Sequence, residues 1–217
     1  MSLVIVGAGP NLGLAVARRF GREGLAVGLI SRTESRLVEL VAQLRLDGIT
    51  AAGAAADIRD SEALAEAIQG LGDEIGPVEV LEYSPLPARE FMKPVLETTV
   101  DDVRGPLEFS VLGAVAATQA VIGPMREAGR GTILFTTGGA AVNPYPARAG
   151  VGISFAGEVA YARMLHDALR DEGVHVAHIA VAGRIAPGAD NEPDDIAEVL
   201  WTHHVDRRVF QTRLGMP

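Results

Sequence analysis

The chain has 217 residues, of which 28 are acidic and 19 basic, for a net charge of −9. Apolar residues make up 48% and charged residues 22%, which is typical of a globular domain and argues against disorder. Nucleic-acid binding is not expected, because phosphate contacts need clustered Lys and Arg. The absence of cysteine excludes disulfides, thiolate catalysis and Cys-ligated metals, and it fits a reducing, cytoplasmic setting.

Short apolar strands alternate with amphipathic helices along the chain. Strands are predicted at 3–6, 26–30, 49–56, 78–81, 132–135 and 174–181, with a short last strand at Val209-Phe210. Helices are predicted at 12–20, 37–44, 64–75, 101–125 and 149–170 and from Pro193 onward, with a loop at 85–94. This order predicts an α/β fold in which 1–217 forms one domain, a doubly wound parallel sheet with helices on both faces.

No membrane segment or signal peptide is expected. The longest apolar stretch, 111–125, is shorter than the roughly 20 residues that cross a bilayer. The N-terminal residues lack a basic leader and predict a strand instead.

The turn after the first strand is rich in glycine, with Gly7, Gly9 and Gly13 around Asn11. Such a turn lets backbone N–H groups approach a pyrophosphate at a helix N-terminus. The common dinucleotide spacing needs glycine at position 12, where Leu12 stands, but a longer spacing with Gly7 and Gly13 outermost fits. Asn11 suits the middle position because Asn tolerates positive φ. The turn predicts nucleotide binding; the alternative is a tight turn without a ligand.

With this turn, the chain resembles the short-chain dehydrogenase/reductase family over nearly all of its length. The family carries Thr-Gly-x-x-x-Gly-x-Gly here, and Val6 and Asn11 replace its Thr and middle Gly. The resemblance implies a Rossmann-type fold, a nicotinamide dinucleotide and oxidoreductase activity. It also implies a homodimer or homotetramer.

The end of the second strand bears on the cofactor type. An acidic residue there would bind the adenosine ribose diol and favour NAD(H), but Ser31 and Arg32 occupy the position. A hydroxyl and a guanidinium suit a 2′-phosphate, and Arg36 follows one turn later. The sequence therefore predicts NADP(H) over NAD(H); a solvated Arg at a helix start is the alternative.

The resemblance implies further cofactor contacts. Asp57 and Ile58 match the family's dipeptide that contacts adenine, and Ile185 lies where the backbone meets the nicotinamide amide. Segment 83–86 replaces the family's Asn-Asn-Ala-Gly, and Pro85 within it removes a backbone donor. The expected cofactor-binding residues are Gly7, Gly9, Asn11, Leu12, Gly13, Ser31, Arg32, Asp57, Ile58, Ser84 and Ile185.

The family's catalytic positions hold unusual residues. Gly138 stands at the Ser position, Val151 and Phe155 at those of Tyr-x-x-x-Lys, and Ser110 at the Asn position. A shifted alignment does not restore the pair, because Lys93 is the only lysine. Losing a general acid costs about 10²–10⁴ in rate and losing an oxyanion donor about 10²–10³. No catalytic residue is predicted, and the standard mechanism is expected to be absent.

Other polar residues offer weaker candidates. Tyr145 is the best substitute acid, although a tyrosine braced between two prolines is the favoured interpretation, and Lys93 is expected to be solvated. The histidines are expected to be surface or satisfied packing residues. His175 and His178 lie on opposite faces of a strand, and the adjacent pair His203-His204 does not converge, so no metal site is predicted.

The sequence thus predicts an NADP(H)-binding protein of the oxidoreductase class without the Ser-Tyr-Lys mechanism. A divergent reductase, a nucleotide-sensing scaffold and a dimerisation scaffold with an empty site remain open. Segment 186–192 is too short for a helical lid, which predicts an open cleft. The expected partner besides the dinucleotide is a small apolar carbonyl compound.

Overall fold

Seven parallel strands form one sheet in the computed structural model, which describes residues 1–216. The strand order is β3-β2-β1-β4-β5-β6-β7, which confirms the predicted doubly wound sheet. Because the order reverses between β1 and β4, a crevice opens there at the carboxyl edge. The strands are β1 Ser2–Val6, β2 Ala26–Ser31, β3 Ala51–Ala55, β4 Val78–Tyr83, β5 Gly131–Gly138, β6 Val174–Val181 and β7 Gln211–Leu214.

Helices cover both faces of the sheet because strand residues alternate in direction and both resulting apolar faces need cover. One face packs against α3, α5 and α6, and the other against α1, α2 and α7. The helices are α1 Leu12–Gly21, α2 Glu34–Leu46, α3 Ser61–Ile75, α4 Val100–Leu107, α5 Gly113–Glu127, α6 Ala149–Leu169 and α7 Pro193–Asp206.

The predicted long helix is a 28-residue helical run, Val100–Glu127, in which a π turn at Glu108–Leu112 joins α4 to α5. A capping box between Thr99 and Asp102 begins it. The run is long and apolar enough to cross a membrane, but half of its most apolar window is buried in the protein. Such burial is also found in the core helices of globular domains.

The prediction for the last strand was wrong in its position. Phe210 is buried against the ring of His166 and beneath the guanidinium of Arg163, so its side chain closes the core. The strand begins one residue later, where Gln211–Leu214 pairs with the second half of β6. The predicted loop 85–94 contains one 3₁₀ turn, Arg89–Phe91.

Candidate functional site

A cavity of about 300 Å³ opens at the crevice between β1 and β4. The glycine turn forms its floor, the end of β2 one wall, and the segment after β4 another. Every predicted cofactor residue except Asp57 lines it. The lining residues are Gly7, Ala8, Gly9, Pro10, Asn11, Leu12, Gly13, Ser31, Arg32, Thr33, Arg36, Ala56, Ile58, Ser84, Pro85, Leu86, Phe109 and Ile185.

Glycine is present at positions 7 and 9 of the turn for two different structural reasons. Gly7 has φ +93°, and a Cβ on it would lie 2.5 Å from the Cα of Pro85. Gly7 therefore provides both the left-handed conformation and the close approach of two backbones. A Cβ on Gly9 would meet nothing within 4 Å, so this residue leaves the cavity floor open.

Asn11 differs from the expectation that it takes positive φ. Its φ is −97°, because the left-handed position of the turn is Gly7. Its side-chain amide instead donates to the carbonyl oxygen of Ile185 at 3.3 Å, which joins the glycine turn to the segment after β6. Asn11, the N-cap residue of α1, makes no side-chain capping hydrogen bond. A helix N-terminus without a capping side chain, facing a cavity, suits an anionic group.

The rim at the end of β2 is positively charged. Arg32 and Arg36 both line the cavity, and no acidic side chain belongs to its lining within the described part of the chain. Asp57 does not belong to the cavity lining and forms an ion pair with Arg59 at 2.9 Å. Hydrogen bonds from Arg59 lower the pKa of the Asp57 carboxyl. The order of the elements placed Asp57 among the expected cofactor-binding residues, but it did not predict that Arg59 would form an ion pair with its carboxylate.

A buried carboxyl lies directly behind the cavity wall. Glu82 of β4 is fully buried, and its oxygens accept hydrogen bonds from Ser84 at 2.7 Å and Thr136 at 3.1 Å. Burial raises the pKa of Glu82 to about 7 despite these two hydrogen bonds. Sequence reasoning missed Glu82, although an acidic residue inside a predicted buried strand was the available signal.

The family's catalytic positions come together at the end of β5 and the start of α6, as the alignment implied. Val151 and Phe155 are both buried, at 5% and 4% exposure. A Cβ on Gly138 would lie 3.4 Å from Cε2 of Phe155, so the phenyl ring packs beside this glycine. This part of the site is hydrocarbon.

Two buried polar residues, Ser110 and Glu158, lie near this apolar part of the site. Ser110 sits in the π turn, and Glu158 lies one turn after Phe155 in α6. The Ser110 hydroxyl and Oε1 of Glu158 are buried without a hydrogen-bond partner among residues 1–216. Burial raises the pKa of the Glu158 carboxyl well above its usual range, the neighbouring Ser110 hydroxyl opposes this rise, and Glu82 adds to it.

The two candidate substitutes have different positions. The Tyr145 hydroxyl lies 3.7 Å from where a Cβ on Gly139 would be, which places it beside the turn after β5. Tyr145 as a whole is 46% exposed. Lys93 is half exposed and forms an ion pair with Asp102 at 2.7 Å. Neither residue lines the cavity.

The histidines are more buried than a surface role implies. His175, His178, His203 and His204 are all buried, and the His175 ring lies 5.9 Å from that of His166 and 6.4 Å from that of His203. Three of the four buried rings have hydrogen-bond partners, but Nε2 of His175 has none within the described residues, so not every ring is satisfied. Over residues 1–216, no group of three or more His, Cys, Asp or Glu side chains is arranged to hold a metal ion.

Comparison with known proteins decides the family. The model of the short chain dehydrogenase family matches residues 2–193. The chain belongs to this family. Among curated members, it is 27% identical over 201 residues to a 3-dehydrosphinganine reductase of Arabidopsis thaliana, covering 90% of this chain and 59% of that protein. It is 32% identical over 186 residues to a very-long-chain 3-oxoacyl-CoA reductase of Neurospora crassa, covering 82% and 54%. The chain therefore spans somewhat more than half the length of these short-chain dehydrogenase relatives.

Solved structures of short-chain dehydrogenases share the whole fold. A metagenomic short-chain oxidoreductase in complex with NADP superposes with a TM-score of 0.86 at 25% identity, covering 100% of this chain and 98% of that one. A short-chain dehydrogenase from Rhodopseudomonas palustris has a TM-score of 0.87 at 23% identity, covering 100% and 98%.

Proposed function

We propose that this short-chain dehydrogenase binds NADP(H) in the cavity between β1 and β4. The observation that carries the proposal is the continuous cavity from Arg32, past the glycine turn, to Ile185. A Cβ on Gly9 would meet nothing within 4 Å, so the cavity floor is open at this residue. The N-cap residue Asn11 makes no side-chain capping hydrogen bond to α1. The residues present therefore fit a dinucleotide with its diphosphate over the turn.

The 2′-phosphate is assigned to the charged rim. Ser31, Arg32 and Arg36 would hold it by hydroxyl and charge-assisted hydrogen bonds, with no carboxylate in the lining to oppose it. The complex of the metagenomic relative with NADP is consistent with a nicotinamide dinucleotide in this cavity. Ile185 would face the nicotinamide end, and Phe109 would pack in the cavity wall.

We further propose that the protein does not reduce carbonyls by the family's Ser-Tyr-Lys route. When bound, the dinucleotide would supply a hydride, but a ketone also needs a proton donor and an oxyanion partner. Gly138, Val151 and Phe155 supply neither, and the packing of the Phe155 ring keeps this corner apolar. We propose that such a protein senses the nucleotide or acts as a scaffold. By family resemblance we expect it to be a cytoplasmic homodimer or homotetramer.

A divergent reductase is the second candidate, and the position of Tyr145 favours it. The residue is partly exposed, and its hydroxyl lies beside the turn after β5, where a proton donor would act. The apolar surroundings fit a non-polar carbonyl compound. The names of the two curated relatives, a 3-dehydrosphinganine reductase and a very-long-chain 3-oxoacyl-CoA reductase, agree with that chemistry.

Fluorescence titration with NADPH tests the binding proposal, with NADH as the comparison. Saturable binding that is tighter for NADPH is expected, and no binding of either nucleotide at millimolar concentration would refute the proposal. A panel of aliphatic ketones and 3-oxoacyl thioesters with NADPH then separates the two candidates. If NADPH is consumed and Tyr145→Phe abolishes the consumption, the divergent reductase is correct; Tyr161→Phe, on the part of α6 away from this turn, is the matched control.

A further inference from the structure

Glu82 is connected to the cavity through a single hydroxyl group. Ser84 lines the cavity, and its Oγ donates to Oε2 of Glu82 at 2.7 Å. The backbone N–H of Ser84 donates to the carbonyl of Val6, and the next residue, Pro85, packs against Gly7. Ser84 is thus held beside the glycine turn, where the diphosphate of a dinucleotide would lie.

Few charged groups surround the Glu82 carboxyl. The flanking strands β1 and β5 contain no ionisable side chain, and over residues 1–216 Thr136 is the only hydrogen-bond donor to the carboxyl besides Ser84. Glu158 of α6 is also buried and carries the same sign of charge when ionised, but α6 covers the opposite face of the sheet. On the face that Glu82 shares with α1, α2 and α7, the buried titratable side chains of α7 are His203 and His204, and Arg36 of α2 lines the cavity. In α1, Arg18 and Arg19 are held in ion pairs, and in α7, Asp194, Asp195 and Glu198 are exposed.

We propose that Glu82 couples dinucleotide binding to the uptake of one proton and that Ser84 transmits the change to the ligand. This inference rests on the proposed function, because it concerns the same cavity. A hydroxyl has one hydrogen, so Ser84 has none left for the cavity while it donates to ionised Glu82. Once Glu82 takes a proton from solvent, its own O–H donates to Ser84 Oγ. The Ser84 hydrogen then turns to the anionic ligand.

The charge of ionised Glu82, like its hydrogen bond from Ser84, weakens dinucleotide binding. An ionised carboxylate buried behind the cavity wall repels the negative charges of a diphosphate, and the low local dielectric strengthens the repulsion. Because burial brings the pKa of Glu82 to about 7, the carboxyl changes protonation within the neutral range. Dinucleotide affinity should therefore fall as the pH rises through neutrality, by at most tenfold per pH unit for one proton.

The test compares the wild type with Glu82→Gln, whose amide can donate to Ser84 at every pH. The dissociation constant for NADPH is measured by calorimetry from pH 6.0 to 8.5, in two buffers of different ionisation enthalpy. At each pH the dissociation constant of the wild type is divided by that of Glu82→Gln. We expect this ratio to rise about tenfold from pH 6.0 to 8.5. Dividing by the variant's value removes the titration of the 2′-phosphate itself. Glu79→Gln, at the other end of β4, is the control and should behave as the wild type.

Equal pH slopes for the wild type and Glu82→Gln would overturn the proton coupling while leaving NADPH binding established. If Glu82→Gln does not fold, the wild type alone decides. A binding enthalpy near pH 7 that differs between the two buffers with the sign of proton uptake supports the coupling, and an enthalpy that is the same in both buffers overturns it. If the wild type does not bind NADPH at pH 6.0, the proposed function fails and this inference fails with it.

Discussion

Replacing Gly7 by alanine tests the geometry of the turn most directly. Gly7 has φ +93°, a conformation that costs an L-residue about 1–2 kcal/mol. A Cβ there would lie 2.5 Å from Cα and 2.7 Å from N of Pro85, and backbone atoms cannot rotate away. Overpacking of this kind costs about 1–3 kcal/mol. We expect Gly7→Ala to lower the free energy of unfolding by about 3 kcal/mol in total, which corresponds to a Tm about 6–12 °C lower for a chain of this size.

Gly9→Ala is the matched control for that experiment. Its added Cβ meets nothing within 4 Å, and its φ is not positive, so the free energy of unfolding should change by no more than about 0.5 kcal/mol. Urea unfolding followed through the single tryptophan, Trp201, measures both variants, because that ring packs edge-on against Phe20 in the core. Equal stability of the two variants would refute the assigned contact between Gly7 and Pro85. Because the new methyl of Gly9→Ala projects into the cavity floor, NADPH affinity should fall in that stable variant.

Three further outcomes are expected. Arg32→Ala should weaken NADPH binding about 10–100-fold in a fluorescence titration, through loss of a charge-assisted contact, and leave NADH within about twofold; equal losses would contradict the 2′-phosphate assignment. Burial lowers the pKa values of His175 and His178 to about 4. The folded state therefore favours the neutral rings, so their contribution to stability is complete above about pH 6.5 and is lost as the pH falls towards 4. Urea unfolding at pH 7 and pH 4.5 measures this, and a smaller decrease is expected in His178→Gln than in the wild type. Tyr83→Phe should cost about 1–2 kcal/mol in urea unfolding, because it leaves the Phe109 carbonyl without its buried donor; an unchanged midpoint would contradict that bond.

Local patterns were sufficient for the architecture of this chain. The alternation of apolar strands and helices predicted a parallel sheet, and β6 was predicted with its observed bounds, 174–181. The glycine turn and the Arg at the end of β2, both predicted to bind the cofactor, line one cavity, because a β-α unit brings strand ends and helix starts to the same edge. Asp57 was the exception, since its side chain is held by Arg59.

Buried polar groups were harder to predict, since burial depends on what packs above a residue. A strand residue's face follows from period-two alternation, but its neighbours on adjacent strands do not. Thus Glu82 meets Thr136 only through the pairing of β4 with β5, and His175 meets His203 only when α7 and the chain end fold over β6.

The amino-acid sequence by itself determined the sheet, the glycine turn and the basic rim, because each depends on residue type and short-range spacing. Tertiary structure alone decided that Pro85 packs on Gly7, that Tyr145 reaches the turn after β5, and that Glu82 lies behind Ser84. The physical reason is that hydrogen bonding, desolvation and close backbone contact depend on distances between residues far apart in the chain.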